Sequence, residues 1–110
     1  MMQRDIYIAS LDPATGSEQQ GQRPVVIISG DAMNEMTDLC IICPLTSKIK
    51  NYPGSLLLVK NQQNGLTDDS EVLIFQIRVI SKSRLVKKIG VITGDELNQV
   101  KRGLIDVLTF

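Results

Sequence analysis

A Cys-x-x-Cys motif, Cys40 and Cys43, is the arrangement in this sequence with the most evident capacity for chemistry. Two cysteines at this spacing can form a redox pair or half of a zinc site. Here both lie inside the apolar segment 39–45, which predicts a buried strand, and residues three apart on a strand point to opposite faces, about 10 Å apart. The sequence has no further Cys and no His to complete a zinc site. We therefore predict two buried, unpaired thiols.

The lack of histidine and the balance of charge narrow the classes of function that the chain can have. Histidine is the side chain most used for acid–base catalysis near neutral pH, and it is the commonest metal ligand. The 12 Lys and Arg residues balance the 12 Asp and Glu residues, so no net field draws the protein to nucleic acid. This composition argues against a protein that coats DNA or RNA generally. An RNA site would need a local cluster of Arg and Lys, and no metal or other cofactor is expected.

The elements that would position such a site are mostly short strands. A length of 110 residues favours one compact domain over residues 1–110, which can bury a core without disulfides or a metal. Apolar and β-branched segments bounded by turn residues predict the strands. They are 5–11, 25–28, 39–45, 55–59, 71–80 and 84–92, of which 71–80 is the longest. Between them, 12–22 reads as a long polar loop and 31–38 as a polar connection with a helical turn.

The last segment of the chain has the signature of a helix. Thr93 and Glu96 stand at capping-box spacing, at which two otherwise unsatisfied backbone amides are capped reciprocally. Apolar residues then recur at helical spacing, at Leu97, Val100, Leu104, Val107 and Leu108. Short strands followed by one amphipathic helix predict a mainly β (α+β) fold, in which a small, strongly bent sheet or barrel carries the helix.

We expect neither a signal peptide nor a membrane span. Residues 1–5 lead into a short alternating run and offer no apolar stretch typical of a signal peptide. No run approaches the roughly 18 apolar residues that cross a membrane. These features predict a cytoplasmic protein with no membrane partner.

Several segments, taken in order, resemble the MazF/PemK toxin family over nearly the whole chain. They are 5–7 with 11–13, 16–27, Asn34, 44–47 and 76–78. The resemblance implies an SH3-like, strongly bent antiparallel β-barrel with a C-terminal α-helix. It also implies a sequence-specific endoribonuclease toxin of a type II toxin–antitoxin system, which cleaves single-stranded RNA and is inhibited by an antitoxin.

By this resemblance, Arg23 and Thr46 fall on the family's catalytic pair. RNA carries its own nucleophile, the 2′-hydroxyl, so an enzyme that positions it and stabilises the phosphorane needs neither metal nor cofactor. The products would carry 2′,3′-cyclic phosphate and 5′-hydroxyl ends. A guanidinium suits bidentate contact with phosphate oxygens, and it stays protonated far above neutral pH, so we expect charge stabilisation from Arg23. The alternatives are a solvated charge at Arg23 and an ordinary strand residue at Thr46.

The resemblance also implies residues that bind the substrate. Gln76 and Arg78 alternate on the predicted long strand, so both should face one side, away from Phe75 and Ile77. One could read a base edge and the other a phosphate, although a polar solvent face is the alternative for Arg78. The other expected binding residues are Ser47, beside Thr46, and Glu18, Gln19 and Gln20, which would shape a lid on the RNA groove.

The chain departs from the family pattern at three positions. PemK-type members use a His in the loop, where this chain has Ser17, and an Arg and an Asp in the long strand, where it has Leu73 and Phe75. Activity therefore depends on Arg23 and Thr46, the arrangement of the MazF branch. Many MazF relatives also carry an acid where Phe75 stands, so the preferred RNA motif is the property most affected.

The resemblance implies two protein partners besides the single-stranded RNA substrate. One is a second copy of the chain, since the family forms two-fold dimers. The other is a MazE-like antitoxin, whose disordered, acidic segment would fold across the RNA groove and order the loop 12–22. DNA binding is expected only in complex with that antitoxin.

Two other functions are compatible with a barrel of this kind. One is a gyrase poison like CcdB, but such chains end in a Trp-bearing tail, whereas this chain has no Trp. The other is a non-catalytic module that binds RNA or protein. RNA cleavage that is lost on Arg23→Ala, with the fold retained, would separate the enzyme from this module.

Overall fold

The apolar segments of the chain form an antiparallel sheet in the computed structural model, which describes residues 1–11 and 21–110. Within these ranges the sheet has seven strands, joined in the order β4-β5-β3-β2-β1-β7, with β6 also paired to β3. The strands are β1 (Asp5–Ser10), β2 (Gln22–Ile27), β3 (Leu39–Thr46), β4 (Leu56–Leu58), β5 (Ser70–Val72), β6 (Arg78–Ser81) and β7 (Leu85–Val91). The helices are α1 (Asp31–Met36) and α2 (Gly94–Thr109).

The sheet bends because β3 exchanges partners along one edge. Its first half pairs with β6, from Leu39 opposite Ser81 to Ile42 opposite Arg78. Its last two residues pair instead with β5, and β2 runs along the other edge. The pairing of β1 with β7 also shifts register twice, and such irregularities increase local twist. The result is a curled half-barrel with a C-terminal helix, so the predicted fold class is confirmed.

The prediction of one long strand over residues 71–80 is wrong. The structure divides it into β5, a 3₁₀ turn at Ile74–Gln76, and β6. Pro44 of β3 accepts a hydrogen bond from the Leu73 backbone N–H at 2.8 Å, but a proline has no N–H to return. The ladder is therefore interrupted opposite Pro44, and the residues beyond Leu73 turn away before pairing resumes.

Each face of the sheet buries its own apolar cluster, because neighbouring side chains on a strand alternate between faces. Cys43 belongs to the cluster that includes Val100 of α2, whereas Cys40 belongs to the cluster around Ile42 on the other face. Both thiols are free and buried, as predicted. Burial raises the pKa of the Cys43 thiol to about 12. Both cysteines therefore act as small apolar core residues.

The predicted helix and its cap are confirmed. The Glu96 backbone N–H donates to Thr93 Oγ1 at 3.0 Å, and the Thr93 backbone N–H donates to Glu96 Oε1 at 2.8 Å. Leu97 and Val100 are buried against the sheet. Leu108 has the same spacing but is 78% exposed, so the core ends before the helix does. No helix in the described ranges is long and apolar enough to cross a membrane.

Candidate active site

Arg23 and Thr46 lie at the same end of two neighbouring strands. The ladder between β2 and β3 places Val25 opposite Pro44. Arg23 is two residues before Val25 and Thr46 is two residues after Pro44, so the chain directions carry both residues toward one end of the sheet. The ladder thus brings to one end of the sheet two residues that lie far apart in the sequence.

The predicted site residues line two separate hollows. Arg23 and Ser47 line a hollow of about 260 Å³, together with apolar side chains and the carboxylate of Asp68. Thr46 and Gln76 line a second hollow of about 220 Å³, together with Lys48. The structure therefore places Arg23 beside Ser47 and Thr46 beside Gln76, and neither of these two hollows is lined by both Arg23 and Thr46.

The Thr46 hydroxyl is held by the turn that follows its strand. Thr46 is 8% exposed, and its Oγ1 accepts a hydrogen bond from the Lys48 backbone N–H at 3.1 Å. This local bond fixes the position of the oxygen. Because the oxygen acts as acceptor here, its own hydrogen remains available for donation to a ligand oxygen. Arg23, by contrast, is exposed on β2, where its guanidinium can meet an anionic ligand.

Gln76 and Arg78 do not alternate on one strand, which corrects the predicted arrangement. Gln76 ends the 3₁₀ turn, whereas Arg78 is the first residue of β6, opposite Ile42. Neighbouring residues in a 3₁₀ turn are about 120° apart rather than on opposite faces. Phe75 and Gln76 consequently line the same hollow, although we expected Phe75 to face away.

Glu71 is a buried carboxylate that clamps the loop after Thr46, and sequence reasoning did not single it out. The side chain is 1% exposed. Its two oxygens accept from the backbone N–H groups of Lys50 at 2.8 Å, Asn51 at 3.2 Å and Tyr52 at 2.7 Å.

These hydrogen bonds keep Glu71 charged. Burial alone raises the pKa of this carboxyl, but the bonds from Ser55 and from the Lys50, Tyr52 and Asn51 amides outweigh it and lower the pKa. An acidic residue inside the apolar segment 70–74 was the available signal, because a buried charge requires partners.

Two polar residues that carry the family resemblance serve the fold. Asn34 is buried, and its Nδ2 donates to the Ser29 backbone oxygen at 2.9 Å. Asp5 is buried at the start of β1, where it accepts from the Met2 N–H at 2.8 Å and pairs with Lys88 at 3.2 Å. Neither residue lines the hollows that hold Arg23 and Thr46.

Several expectations fall on residues that the structure does not describe. Glu18, Gln19, Gln20 and the Ser17 departure all lie in 12–20, outside the described residues. Among residues 1–11 and 21–110, no group of three or more His, Cys, Asp or Glu side chains is arranged to hold a metal ion.

Comparison with known proteins identifies relatives along the whole fold. A family model for the PemK-like, MazF-like toxin of type II toxin–antitoxin systems matches residues 2–108. The chain is 36% identical over 107 residues to Endoribonuclease MazF of Staphylococcus saprophyticus. This match covers 94% of this chain and 88% of the relative.

Solved structures agree with this assignment. MazF from Deinococcus radiodurans has a TM-score of 0.85 at 27% identity, covering 100% of this chain and 97% of that chain. A MazE-MazF structure from the same organism has a TM-score of 0.78 at 24% identity, covering 100% of this chain and 96% of that chain. The match over 2–108 and the 36% identity together carry the assignment. The chain belongs to the PemK-like, MazF-like toxin family of type II toxin–antitoxin systems.

Proposed function

We propose that this protein is an endoribonuclease toxin that cleaves single-stranded RNA at short motifs. The observation that carries the proposal is the position of Arg23 and Thr46 at one end of two paired strands, in a chain of this toxin family. The Staphylococcus saprophyticus relative, which is 36% identical, is named as an endoribonuclease.

The proposed chemistry uses the nucleophile that RNA itself carries. The 2′-hydroxyl oxygen attacks the adjacent phosphorus and the bond from phosphorus to the 5′ oxygen breaks, giving a 2′,3′-cyclic phosphate and a 5′-hydroxyl. The proton of the 2′-hydroxyl leaves to water, and the departing 5′ oxygen takes a proton from water. Neither step requires a metal or an organic cofactor in this scheme.

Arg23 and Thr46 have separate roles in this scheme. Negative charge develops on the non-bridging oxygens of the phosphorane, and a fixed guanidinium there stabilises it more than it stabilises the substrate. We assign this role to Arg23, because an arginine does not exchange protons near neutral pH. Thr46, whose oxygen is held by the Lys48 amide, donates its hydroxyl hydrogen to a non-bridging oxygen.

We further propose a homodimer in the cytoplasm that is inhibited by a MazE-like antitoxin. Structures of MazE-MazF from Deinococcus radiodurans, with the same fold, support a partner of this kind. An acidic segment of the antitoxin would compete with RNA for the exposed Arg23. Protease protection of the loop 12–22 in the complex is the expected sign of binding.

Cleavage of a long single-stranded RNA in excess EDTA tests the proposal. We expect discrete fragments with 5′-hydroxyl ends from the wild-type protein. Loss of one charge-stabilising group typically costs roughly 100- to 1000-fold in rate, and we expect a loss of this size for Arg23→Ala. Arg102→Ala, on the exposed side of α2, is the matched control and should cleave normally.

Two outcomes would contradict parts of this proposal. Intact RNA after incubation with correctly folded protein would refute the enzyme and favour a non-catalytic binding module, with gyrase inhibition as the next assay. Cleavage that disappears in EDTA and returns with Mg²⁺ would refute the metal-independent route.

A further inference from the structure

Two exposed aromatic rings lie next to each other close to Thr46. Tyr52 and Phe75 have ring centroids 4.8 Å apart, with an interplanar angle of 57°. Tyr52 is 38% exposed and Phe75 is 43% exposed, although the chain has only four aromatic residues in total. The burial of large apolar rings is favourable, so a paired and exposed set indicates a surface that receives a ligand.

The aromatic pair joins the Thr46 hollow to a larger one. Tyr52 and Phe75 line the hollow of about 220 Å³ that contains Thr46 and Gln76. They also line a hollow of about 720 Å³, whose other walls are mostly apolar and include Val107. The two rings therefore lie where the Thr46 hollow meets the larger one.

Charge is distributed unevenly along this surface. Lys48 and Lys50, both exposed, line the hollow on the Thr46 side. Asp106 lines the larger hollow on the far side of the rings. Lysines along the path favour the phosphates of a nucleic acid strand, whereas a carboxylate disfavours a phosphate in the larger hollow. The larger hollow therefore suits an uncharged, flat group attached to a phosphate chain.

The loop that carries Tyr52 is held rigidly at two points. Glu71 accepts hydrogen bonds from the Lys50, Asn51 and Tyr52 amides. Two residues later Gly54, at φ +75°, packs directly on Gly103 of α2, and a Cβ added at Gly103 would lie 2.0 Å from the Gly54 backbone oxygen. The rings are thus set in place before a ligand arrives, which reduces the entropy lost on binding.

We propose that Tyr52 and Phe75 form a stacking platform for the RNA base next to the scissile phosphate, with Lys48 and Lys50 on the intervening backbone. The inference rests on the proposed RNA substrate and extends it to a specific subsite. Base–aromatic stacking is the usual means by which proteins hold single-stranded nucleic acid.

Binding and cleavage are measured separately, so that the platform and the enzyme can fail independently. Binding uses a fluorescein-labelled pool of random-sequence 2′-O-methyl oligonucleotides, which lack the nucleophile and stay intact. Cleavage uses unmodified single-stranded RNA with end mapping. The variants Tyr52→Leu and Phe75→Leu keep apolar bulk but remove the ring face. Tyr52→Phe keeps the ring and removes only the hydroxyl. Val86→Ala, at an exposed position on β7, is the control, and thermal melting verifies that every variant folds.

The expected result is a loss of affinity confined to the ring variants. Each Leu variant should bind roughly 5- to 100-fold more weakly, and Val86→Ala should bind like wild type. Tyr52→Phe, which keeps a ring, should lose less affinity than Tyr52→Leu. Cleavage by the Leu variants should show a raised KM and a relaxed base preference at one position beside the cut. If the Leu variants bind RNA more weakly but the wild type itself does not cleave RNA, the proposed enzyme would be refuted and the platform would stand.

Other outcomes overturn the platform. Unchanged affinity and unchanged kcat/KM in both Leu variants, while the wild type cleaves, would exclude stacking on these rings. An absence of both binding and cleavage in the wild type would refute the platform and the enzyme together.

Discussion

The two halves of β3 differ in how they are paired and in what they hold. From Leu39 to Ile42 the strand follows a regular ladder with β6, and its buried side chains, Cys40 and Ile42, enter one apolar core. From Leu45 onward the partner is β5, and the strand ends at Thr46, a residue of the proposed site. At this end of the strand the Thr46 side chain lines a hollow. One strand thus serves as scaffold at one end and carries the proposed site at the other.

Removing a core side chain from the scaffold half should have the largest effect on stability. Ile42 is fully buried in the cluster that includes Cys40 and Val25. Truncation of such a side chain leaves a cavity, so we expect Ile42→Ala to lower the free energy of unfolding by about 2–5 kcal/mol. Urea unfolding measures this change. RNA cleavage per folded molecule should stay near wild type, and a loss of activity in folded protein would remove the proposed division of β3.

The site half should show the opposite response. Thr46→Ala removes a hydroxyl that we assign to the phosphorane, so kcat should fall on the order of 100-fold. Its oxygen accepts a hydrogen bond from the Lys48 amide, and the loss of that bond should change the free energy of unfolding by about 1 kcal/mol or less. Thr46→Ser keeps the hydroxyl and should restore most of the rate. An inactive Thr46→Ser variant would show that the hydroxyl alone does not account for the effect of Thr46 on the rate.

Glu71 lies between these extremes, because it belongs to the fold and also holds the site loop. In Glu71→Gln an amide NH₂ group would face backbone N–H donors, and we expect a loss of about 1–3 kcal/mol of unfolding free energy. The mutation should also loosen Tyr52 and raise KM for RNA more than it lowers kcat. Gln99→Ala, exposed on α2, is a control that should change neither.

The contribution of Glu71 should disappear in acid. Since its pKa is lowered by folding, the clamp stabilises the protein above the pKa of the unfolded chain and loses this effect as the pH falls through the folded value. The gap in unfolding free energy between wild type and Glu71→Gln should therefore be full at pH 7 and shrink below about pH 4.5. A gap that stays constant down to pH 3 would show that the charge is not the stabilising feature.

Features that depend on residues close together in the sequence could be predicted, whereas features that depend on distant residues could not. The capping box at Thr93 and Glu96 and the buried pair Cys40 and Cys43 depend on residues a few positions apart, and the structure confirms both. The break near Leu73 was missed because its cause, Pro44, lies in another strand. Residues 71–80 alone show a mostly apolar run with no turn residue to mark the break.

The candidate site shows the same limit. Family resemblance pointed to Arg23 and Thr46, but their placement at one end of β2 and β3 depends on register, which the sequence does not display. Glu71 and Tyr52 lie 19 residues apart, and their hydrogen bond becomes visible only once the loop closes on β5. Composition could not reveal the ring pair either, because Tyr52 and Phe75 come from separate loops that meet in space.

The contact between Gly54 and Gly103 also restricts how this lineage can change. A methyl group at Gly103 would overlap the Gly54 carbonyl, and one at Gly54 would come within 2.6 Å of the Gly103 carbonyl. Neither position can gain a side chain while the other backbone stays in place. The two sites should therefore vary together among relatives, and loss of one glycine should accompany a rebuilt loop. This pair of positions marks, in any homologous sequence, whether the helix and the aromatic loop keep the geometry described above.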